Sequence, residues 1–233
     1  MVTELEEELR TWQVKNALEK AGFTEEDMRF TFENFDPNRT GGTALLALCR
    51  AYADNVEPKM GVGLLLWGQR GVGKTHLAVA ILRRALERGL VGAKISFAEF
   101  LASARSFFET DNLESFLDCA EYDIVLLDDV SSQTIAGSFD QSRACEALFR
   151  FLDSAYLNRA NLLITTNHAP TELAAELRKL DGSERILDRL RGLVHSVHVE
   201  GESQRRAELM KRTPPWLREA LQKVKGGADA HAR

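Results

Sequence analysis

The clearest chemical signal in the chain is a glycine-rich segment, which reads GQRGVGKT between residues 68 and 75. Glycines with this spacing let backbone N–H groups curl around a phosphate, and the helix that follows directs its N-terminus at the same point. Lys74 is placed to reach the β- and γ-phosphates of a nucleotide, and the hydroxyl of Thr75 to ligate Mg²⁺. We therefore predict a site for ATP and Mg²⁺ formed by Gly68, Gln69, Arg70, Gly71, Val72, Gly73, Lys74, Thr75 and His76.

Two carboxylates follow an apolar run later in the chain, in the segment IVLLDD at residues 124–129. At the carboxyl edge of a parallel sheet they would face the same crevice as the phosphate loop. Asp128 is the expected partner of Mg²⁺, either directly or through water. Asp129 is placed to orient the attacking water or to take its proton, which makes it the candidate general base.

A third polar residue, Asn167, follows the apolar run at residues 162–164. Its amide would lie between the other two strand ends, where it can donate to the γ-phosphate or position the attacking water. The alternative is an Asx turn that leads into Pro170, because asparagine side chains often bond to the backbone of turns.

These residues need a scaffold in which strands and helices alternate. The sequence predicts five strands, at residues 63–67, 93–97, 124–127, 161–165 and 194–199. It predicts helices at residues 11–21, 43–55, 74–88, 100–108, 113–119, 141–157, 171–180, 184–191, 203–211 and 216–225. Strands joined by helices favour an α/β fold, a mainly parallel sheet covered by helices on both faces.

Composition narrows the functional class. The 233 residues carry 30 Lys and Arg against 35 Asp and Glu, a net charge of −5, whereas a protein dedicated to coating nucleic acid is usually basic. Three distant cysteines predict buried thiols and neither a disulfide framework nor a zinc site. Neither a membrane helix nor a secretory signal is recognisable, so we expect a cytoplasmic protein with no membrane partner.

Four segments together resemble the AAA+ ATPases of the DnaC/DnaI helicase-loader type, with the IstB transposition ATPases close by: GLLLWGQRGVGKTHLA, IVLLDDV, LLITTN and SERILDRL. The resemblance covers residues 30–206. It implies a three-layer αβα P-loop NTPase with an AAA+ core and a reduced or absent helical lid. We expect a short helical segment and linker at residues 1–42, the ATPase core at 43–212, and a C-terminal helix with a disordered tail at 213–233.

The resemblance also implies roles for residues that spacing alone does not reveal. Phe35 matches a segment that lies near the adenine, and Arg205 a position sometimes used as a second sensor. Arg189 matches the arginine finger, with Arg185 as its companion, and such a finger acts on ATP held by an adjacent subunit. This role requires self-association; the alternative is an exposed helix face with salt bridges.

The function implied by the resemblance is a helicase loader that binds Mg-ATP and single-stranded DNA and delivers a DnaB-type replicative helicase. The candidate DNA contacts are residues 97–119, with Phe100, Phe107, Phe108 and Phe116 as stacking or core aromatics, and residues 131–143.

We expect slow hydrolysis, because Asp129 is one methylene shorter than the glutamate of many relatives. The alternatives are an IstB-like transposition regulator on duplex DNA, a metabolic P-loop kinase and a nucleotide-binding scaffold without hydrolysis.

Overall fold

Five short strands form one sheet at the centre of the chain. The computed structural model describes residues 4–38, 40–110, 119–138, 140–182, 184–203, 209 and 212–218. The strands are β1 Gly63–Trp67, β2 Gly92–Ser96, β3 Ile124–Val130, β4 Asn161–Thr166 and β5 Val194–His198. They lie in the order β2-β3-β4-β1-β5, and every neighbouring pair is parallel. The predicted five-stranded parallel sheet is therefore confirmed.

Burial explains why the inner strands are continuous apolar runs. All of β4 and the first four residues of β3 are buried, because helices cover both faces of the sheet. The edge strand β5 reads VHSVH and is exposed or half-buried throughout. The sheet thus carries its hydrophobic residues in the middle and tolerates polar ones at its edge.

Helices on the two faces create two separate cores. In the described residues the α-helices are α1 Glu4–Lys20, α2 Gly42–Asn55, α3 Lys74–Glu87, α4 Phe97–Thr110, α5 Ser132–Ala136, α6 Gln141–Leu157, α7 Pro170–Asp181 and α8 Arg185–Leu193. One core joins the sheet to α2, α3 and the segment before α2, and the other joins it to α4 through α8. The three-layer αβα architecture is therefore confirmed.

Several predicted boundaries differ from the structure. Helix α1 already begins at Glu4, and Gly22, with a φ of 85°, follows its end. Strand β3 continues through both aspartates to Val130. Helix α5 was not predicted, because five residues are too short to show a helical period.

Some predictions fall partly or wholly outside the described residues. They are the helices at 113–119 and 203–211, most of the helix at 216–225, and the reduced lid. The division at residues 42 and 212 stays a prediction, although Phe32 and Phe35 pack into the same core as α3.

The remaining composition-based predictions concern thiols and membranes. All three cysteines are free and buried, and burial raises the pKa of the Cys49 thiol to about 12. Among the described helices, none combines the length and apolar character needed to cross a bilayer.

Candidate functional site

The glycine-rich loop connects β1 to α3 in a conformation that requires glycine. Gly71 and Gly73 have φ values of 82° and 98°, which residues with a side chain rarely adopt. A Cβ at Gly71 would lie 2.4 Å from Ser203 Oγ, and one at Gly68 would lie 2.2 Å from the Val199 carbonyl oxygen. The loop therefore forms a tight backbone cradle that ends at the first residue of α3.

Lys74 is buried at the centre of this cradle, with only 7% of its surface exposed. Its Nζ donates to the carbonyls of Gly68 at 2.8 Å and Gln69 at 2.7 Å. It also donates to Asn167 Oδ1 at the end of β4, at 2.8 Å. The ammonium thus joins the loop to the neighbouring strand end. A phosphate entering the cradle would replace one of these three acceptors, because an ammonium has only three N–H donors.

The candidate magnesium ligands lie side by side. The Thr75 hydroxyl donates to Asp128 Oδ1 at 3.0 Å. The Thr165 hydroxyl on β4 donates to the same oxygen at 2.6 Å and accepts the N–H of Asp129 at 2.8 Å. A hydroxyl beside a carboxylate is a hard-oxygen donor set that suits Mg²⁺, so these residues fit the ion.

A β-bulge on β3 contains the paired aspartates. Leu127 pairs with Ile164 and Val130 with Thr166, so three steps along β3 oppose two steps along β4. Asp129 has the left-handed φ of 57°, and the two aspartates form the irregular part of the strand. Bulges of this kind redirect side chains and are frequent beside active sites.

Asn167 connects the lysine to the second aspartate. Its Oδ1 accepts from Lys74, and its Nδ2 donates to Asp129 Oδ1 at 2.9 Å. The structure thus brings together the three strand-end residues that the sequence placed in one crevice. Thr165 was missed, because a threonine at the end of a buried strand looks like an ordinary β-branched strand residue.

Two clefts flank the loop. The first has a volume of about 590 Å³, and its lining includes Lys74, Thr75, Asp128, Asp129 and Asn167. The second, of about 600 Å³, is lined by Asn38, Gln69, Val72, His198, Val199, Glu200, Gly201 and Glu202. The described part of the chain therefore offers space for an extended ligand along the glycine-rich loop, whose residues line both clefts.

His76 faces the segment before α2. Its Nε2 lies 2.7 Å from the Thr31 carbonyl oxygen, its ring stacks on Phe30 at 4.8 Å, and Phe35 meets it edge-on at 5.2 Å. Burial lowers the pKa of this imidazole. Phe35 is itself buried with 4% exposure, and its predicted place beside a base stays a prediction.

The two candidate finger arginines lie on α8 against α6. Arg189 Nε donates to Asp153 Oδ1 at 2.7 Å, which raises the pKa of Arg189, and its guanidinium lies 4.8 Å from the Tyr156 ring centroid. Arg185 pairs with Asp181 at 3.0 Å and Glu146 at 2.9 Å. Both arginines form salt bridges within the subunit, as the alternative interpretation expects, although the Arg189–Asp153 pair is half-buried. The finger role stays a prediction.

The remaining candidates are only partly described. Arg205, residues 111–118 and the side chains of residues 107–110 lie outside the described residues. Phe100 belongs to the core, where it packs against Phe97 and Phe151 and is not available for base stacking. The two candidate DNA segments meet at a cleft of about 420 Å³ lined by Arg105 and Arg143 among others.

Comparison with known proteins agrees with this geometry. The family model of the IstB-like ATP binding proteins matches residues 5–212. The replicative helicase loader DnaC of Escherichia coli (strain K12) is 24% identical over 190 residues, which are 80% of this chain and 73% of that protein. The chromosomal replication initiator DnaA of Aliarcobacter butzleri (strain RM4018) is 23% identical over 193 residues, but the match spans only 40% of its length.

A solved structure shows the same architecture. The crystal structure of the DnaC helicase loader superimposes with a TM-score of 0.65 at 21% identity, covering 76% of this chain and 100% of that one. At this identity the likeness demonstrates the fold alone. Because the family model matches residues 5–212, a range that includes the loop, the paired aspartates and the strand-end asparagine, the chain belongs to the IstB-like ATP-binding protein family.

Proposed function

We propose that the protein binds and slowly hydrolyses Mg-ATP, binds single-stranded DNA, and delivers a replicative hexameric helicase. The observation that carries the ATPase part is the bonded series of side chains from Lys74 through Asn167 to Asp129, beside the Thr75–Asp128 pair. It supplies a cation, an amide and a carboxylate within one cleft. The relatives named as helicase loaders support the choice of partner.

The nucleotide would lie along the loop. Backbone N–H groups of the cradle and the Lys74 ammonium bind the phosphates, and the second cleft, beside Gln69 and Val72, receives the base. Thr75 and Asp128 would hold Mg²⁺, which when bound neutralises phosphate charge. Arg70 and His76, which line the first cleft, are further cofactor-binding residues, and Phe35 is proposed near the base on the basis of the resemblance.

Hydrolysis needs a general base that positions the attacking water and accepts its proton. Asp129 accepts a hydrogen bond from Asn167, so the two side chains are placed to grip one water and to accept its proton on the carboxylate. The aspartate is short, and the bulge fixes its backbone. We therefore expect slow turnover; a steady-state rate as fast as that of a motor ATPase would contradict this.

Arg189 would complete the site of a neighbouring subunit. In the isolated chain its Nε is held by Asp153, so the arginine has to leave this contact or present its remaining N–H groups to the neighbour's ATP. Hydrolysis is then expected to rise with protein concentration. Arg205 is proposed as a second sensor on the basis of the resemblance.

The nucleic-acid contact is proposed for the cleft between α4, α5 and α6. Arg105 and Arg143 line this cleft, where Arg143 is paired with Asp140 at 3.3 Å, and Thr134 adds a hydroxyl for a phosphate oxygen. Binding of single-stranded DNA should weaken steeply with salt, as counterion release requires. The helices before residue 30 are the proposed contact with the helicase.

The second candidate function is an IstB-like regulator that assembles on duplex DNA and stimulates a transposase, which the family match favours. Length-matched single- and double-stranded DNA, titrated with an ATP analogue and Mg²⁺ present, separate the two functions. Preference for single strands together with capture of a DnaB-type helicase supports the loader. Preference for duplex together with capture of a transposase supports the regulator. DNA binding that is the same with and without nucleotide would contradict control by ATP in either function.

Calorimetry with Mg-AMPPNP tests the ATP site itself. The metabolic kinase is tested separately, because a kinase would need a phosphoryl acceptor for turnover. Lys74→Ala should abolish binding, since the cradle loses its cation. No heat of association for the wild-type chain would exclude every nucleotide-dependent function. Binding without phosphate release would leave the non-hydrolysing scaffold.

A further inference from the structure

Residues 21–35, which we call the N-terminal arm, lead from α1 across the edge of the sheet to the phosphate site. The Ala21 carbonyl accepts the N–H of Lys94 on β2 at 2.6 Å. The Met28 carbonyl accepts a hydrogen bond from the Arg83 guanidinium on α3 at 2.8 Å. The arm is thus fastened both to the outer strand and to the helix that follows the glycine-rich loop.

A buried ion pair is the main polar contact of the arm. Asp27 Oδ2 accepts hydrogen bonds from the Thr24 N–H at 2.8 Å, the Thr24 hydroxyl at 2.7 Å and Lys94 Nζ at 2.9 Å. The side chains of Lys94 and Asp27 are only 11% and 5% exposed. Water therefore screens this pair far less than it screens a surface pair.

The ion pair and the phosphate-binding residues share one cleft. Thr24, Glu26, Asp27 and Phe30 of the arm line the same 590 Å³ space as Lys74, Thr75 and Asp128, and Lys94 lines it too. Lys94 and Asp128 also point to the same face of the sheet, because Lys94 pairs with Leu126 and Ser96 with Asp128. A ligand in this cleft therefore lies against the arm.

Charge decides how the arm and the ligand affect each other. A nucleoside triphosphate keeps a net negative charge with Mg²⁺ bound. Its phosphates therefore repel the Asp27 and Glu26 carboxylates and attract Lys94. Phosphate and Asp27 then compete for one ammonium. Nucleotide binding is expected to weaken the Asp27–Lys94 contact, and the contact in turn opposes nucleotide binding, since coupling between two sites is reciprocal.

We propose that the N-terminal arm is a nucleotide-responsive element: Mg-ATP in the phosphate cleft loosens the Asp27–Lys94 pair and thereby weakens the attachment of the arm, and of α1 before it, to strand β2. This inference rests on the proposed binding of Mg-ATP. It adds that the arm reports on the occupancy of the site to whatever partner α1 contacts. The partner, by holding the released arm, raises the affinity for nucleotide.

The test measures Mg-AMPPNP affinity by calorimetry in variants that remove one charge each. Asp27→Asn should tighten binding about threefold or more, since repulsion is removed and Lys94 is freed. Lys94→Met should weaken binding by a similar factor. Asp54→Asn is the charge control, because it removes a carboxylate from a solvent-exposed ion pair with Arg84 of α3 and should leave affinity unchanged.

The direction in which Asp27→Asn changes nucleotide affinity distinguishes coupling between the arm and the phosphate site from a loss of structure caused by the substitution. A merely structural carboxylate gives weaker or unchanged binding when it is replaced, and that result overturns the proposal. Hydrogen exchange provides a second measurement in the wild-type chain: Mg-AMPPNP should speed exchange of the amides of residues 21–30, and slower or unchanged exchange contradicts the coupling. If the wild-type chain binds no nucleotide, the proposed function fails first and the coupling with it.

Discussion

Replacing Thr165 by valine removes the hydroxyl that joins the paired aspartates while keeping the shape of the side chain. This hydroxyl donates to Asp128 Oδ1 at 2.6 Å and accepts the Asp129 N–H at 2.8 Å. A hydrogen bond to a charged group contributes about 1.5–3 kcal/mol. We expect Thr165→Val to lower the free energy of unfolding by about 2–3 kcal/mol and, because the carboxylates lose their alignment, to slow phosphate release about tenfold or more.

The neighbouring Thr166 is the matched control for this substitution. It is equally buried, its hydroxyl donates to the Val130 carbonyl at 2.7 Å and accepts the His168 N–H at 3.2 Å, and these bonds do not involve either aspartate. Thr166→Val should lower stability by about 1–2 kcal/mol and leave the hydrolysis rate of the folded protein close to wild type.

Urea unfolding and single-turnover phosphate release measure the two effects separately. The expected result is a loss of stability in both variants but a loss of rate only in Thr165→Val. Equal loss of rate in both variants, or a wild-type rate in Thr165→Val, would refute the assignment of Thr165 to the site.

Three further predictions concern the base, the arginine and the imidazole. Asp129→Asn should retain binding of Mg-AMPPNP in calorimetry but slow phosphate release about 100-fold or more, and full release would exclude Asp129 as the base. Arg189→Ala should abolish the rise of ATPase rate with protein concentration, while Arg191→Ala on the same helix should preserve it; equal behaviour would exclude the finger. Burial lowers the pKa of His76 below its ordinary 6.5, so its contribution to stability is complete above pH 6.5 and is lost as the pH falls further. Melting temperatures between pH 7.5 and 5 should therefore fall less in His76→Gln than in wild type, and parallel curves would contradict this.

The central strands and the loop were predictable because their signals are local. Continuous apolar runs mark strands buried on both faces, and the spacing of glycines before Lys74 reflects a backbone shape that other residues cannot adopt. The common location of the strand-end residues then follows from the rule that parallel strands end at one edge of the sheet. The crevice itself was therefore accessible from the sequence.

What escaped prediction depends on contacts between distant segments. Asp27 and Lys94 are 67 residues apart, and nothing in either neighbourhood indicates the other. The bulge at Asp129 arises from the register between β3 and β4, which a single strand does not encode. Thr165 acquires its role because the β3–β4 register, in which Leu127 pairs with Ile164, sets it beside Asp128.

The left-handed backbone at Asp129 restricts which residues this position of the strand end can accept. Aspartate and asparagine tolerate this conformation better than other residues with a side chain, for which it costs roughly 1–2 kcal/mol. Asp129→Glu would extend the carboxylate toward the water but would also strain the bulge. With Asp129 as the proposed base, faster turnover would require a rebuilt strand end as well as a longer acid, because the main-chain conformation limits which residue this position accepts.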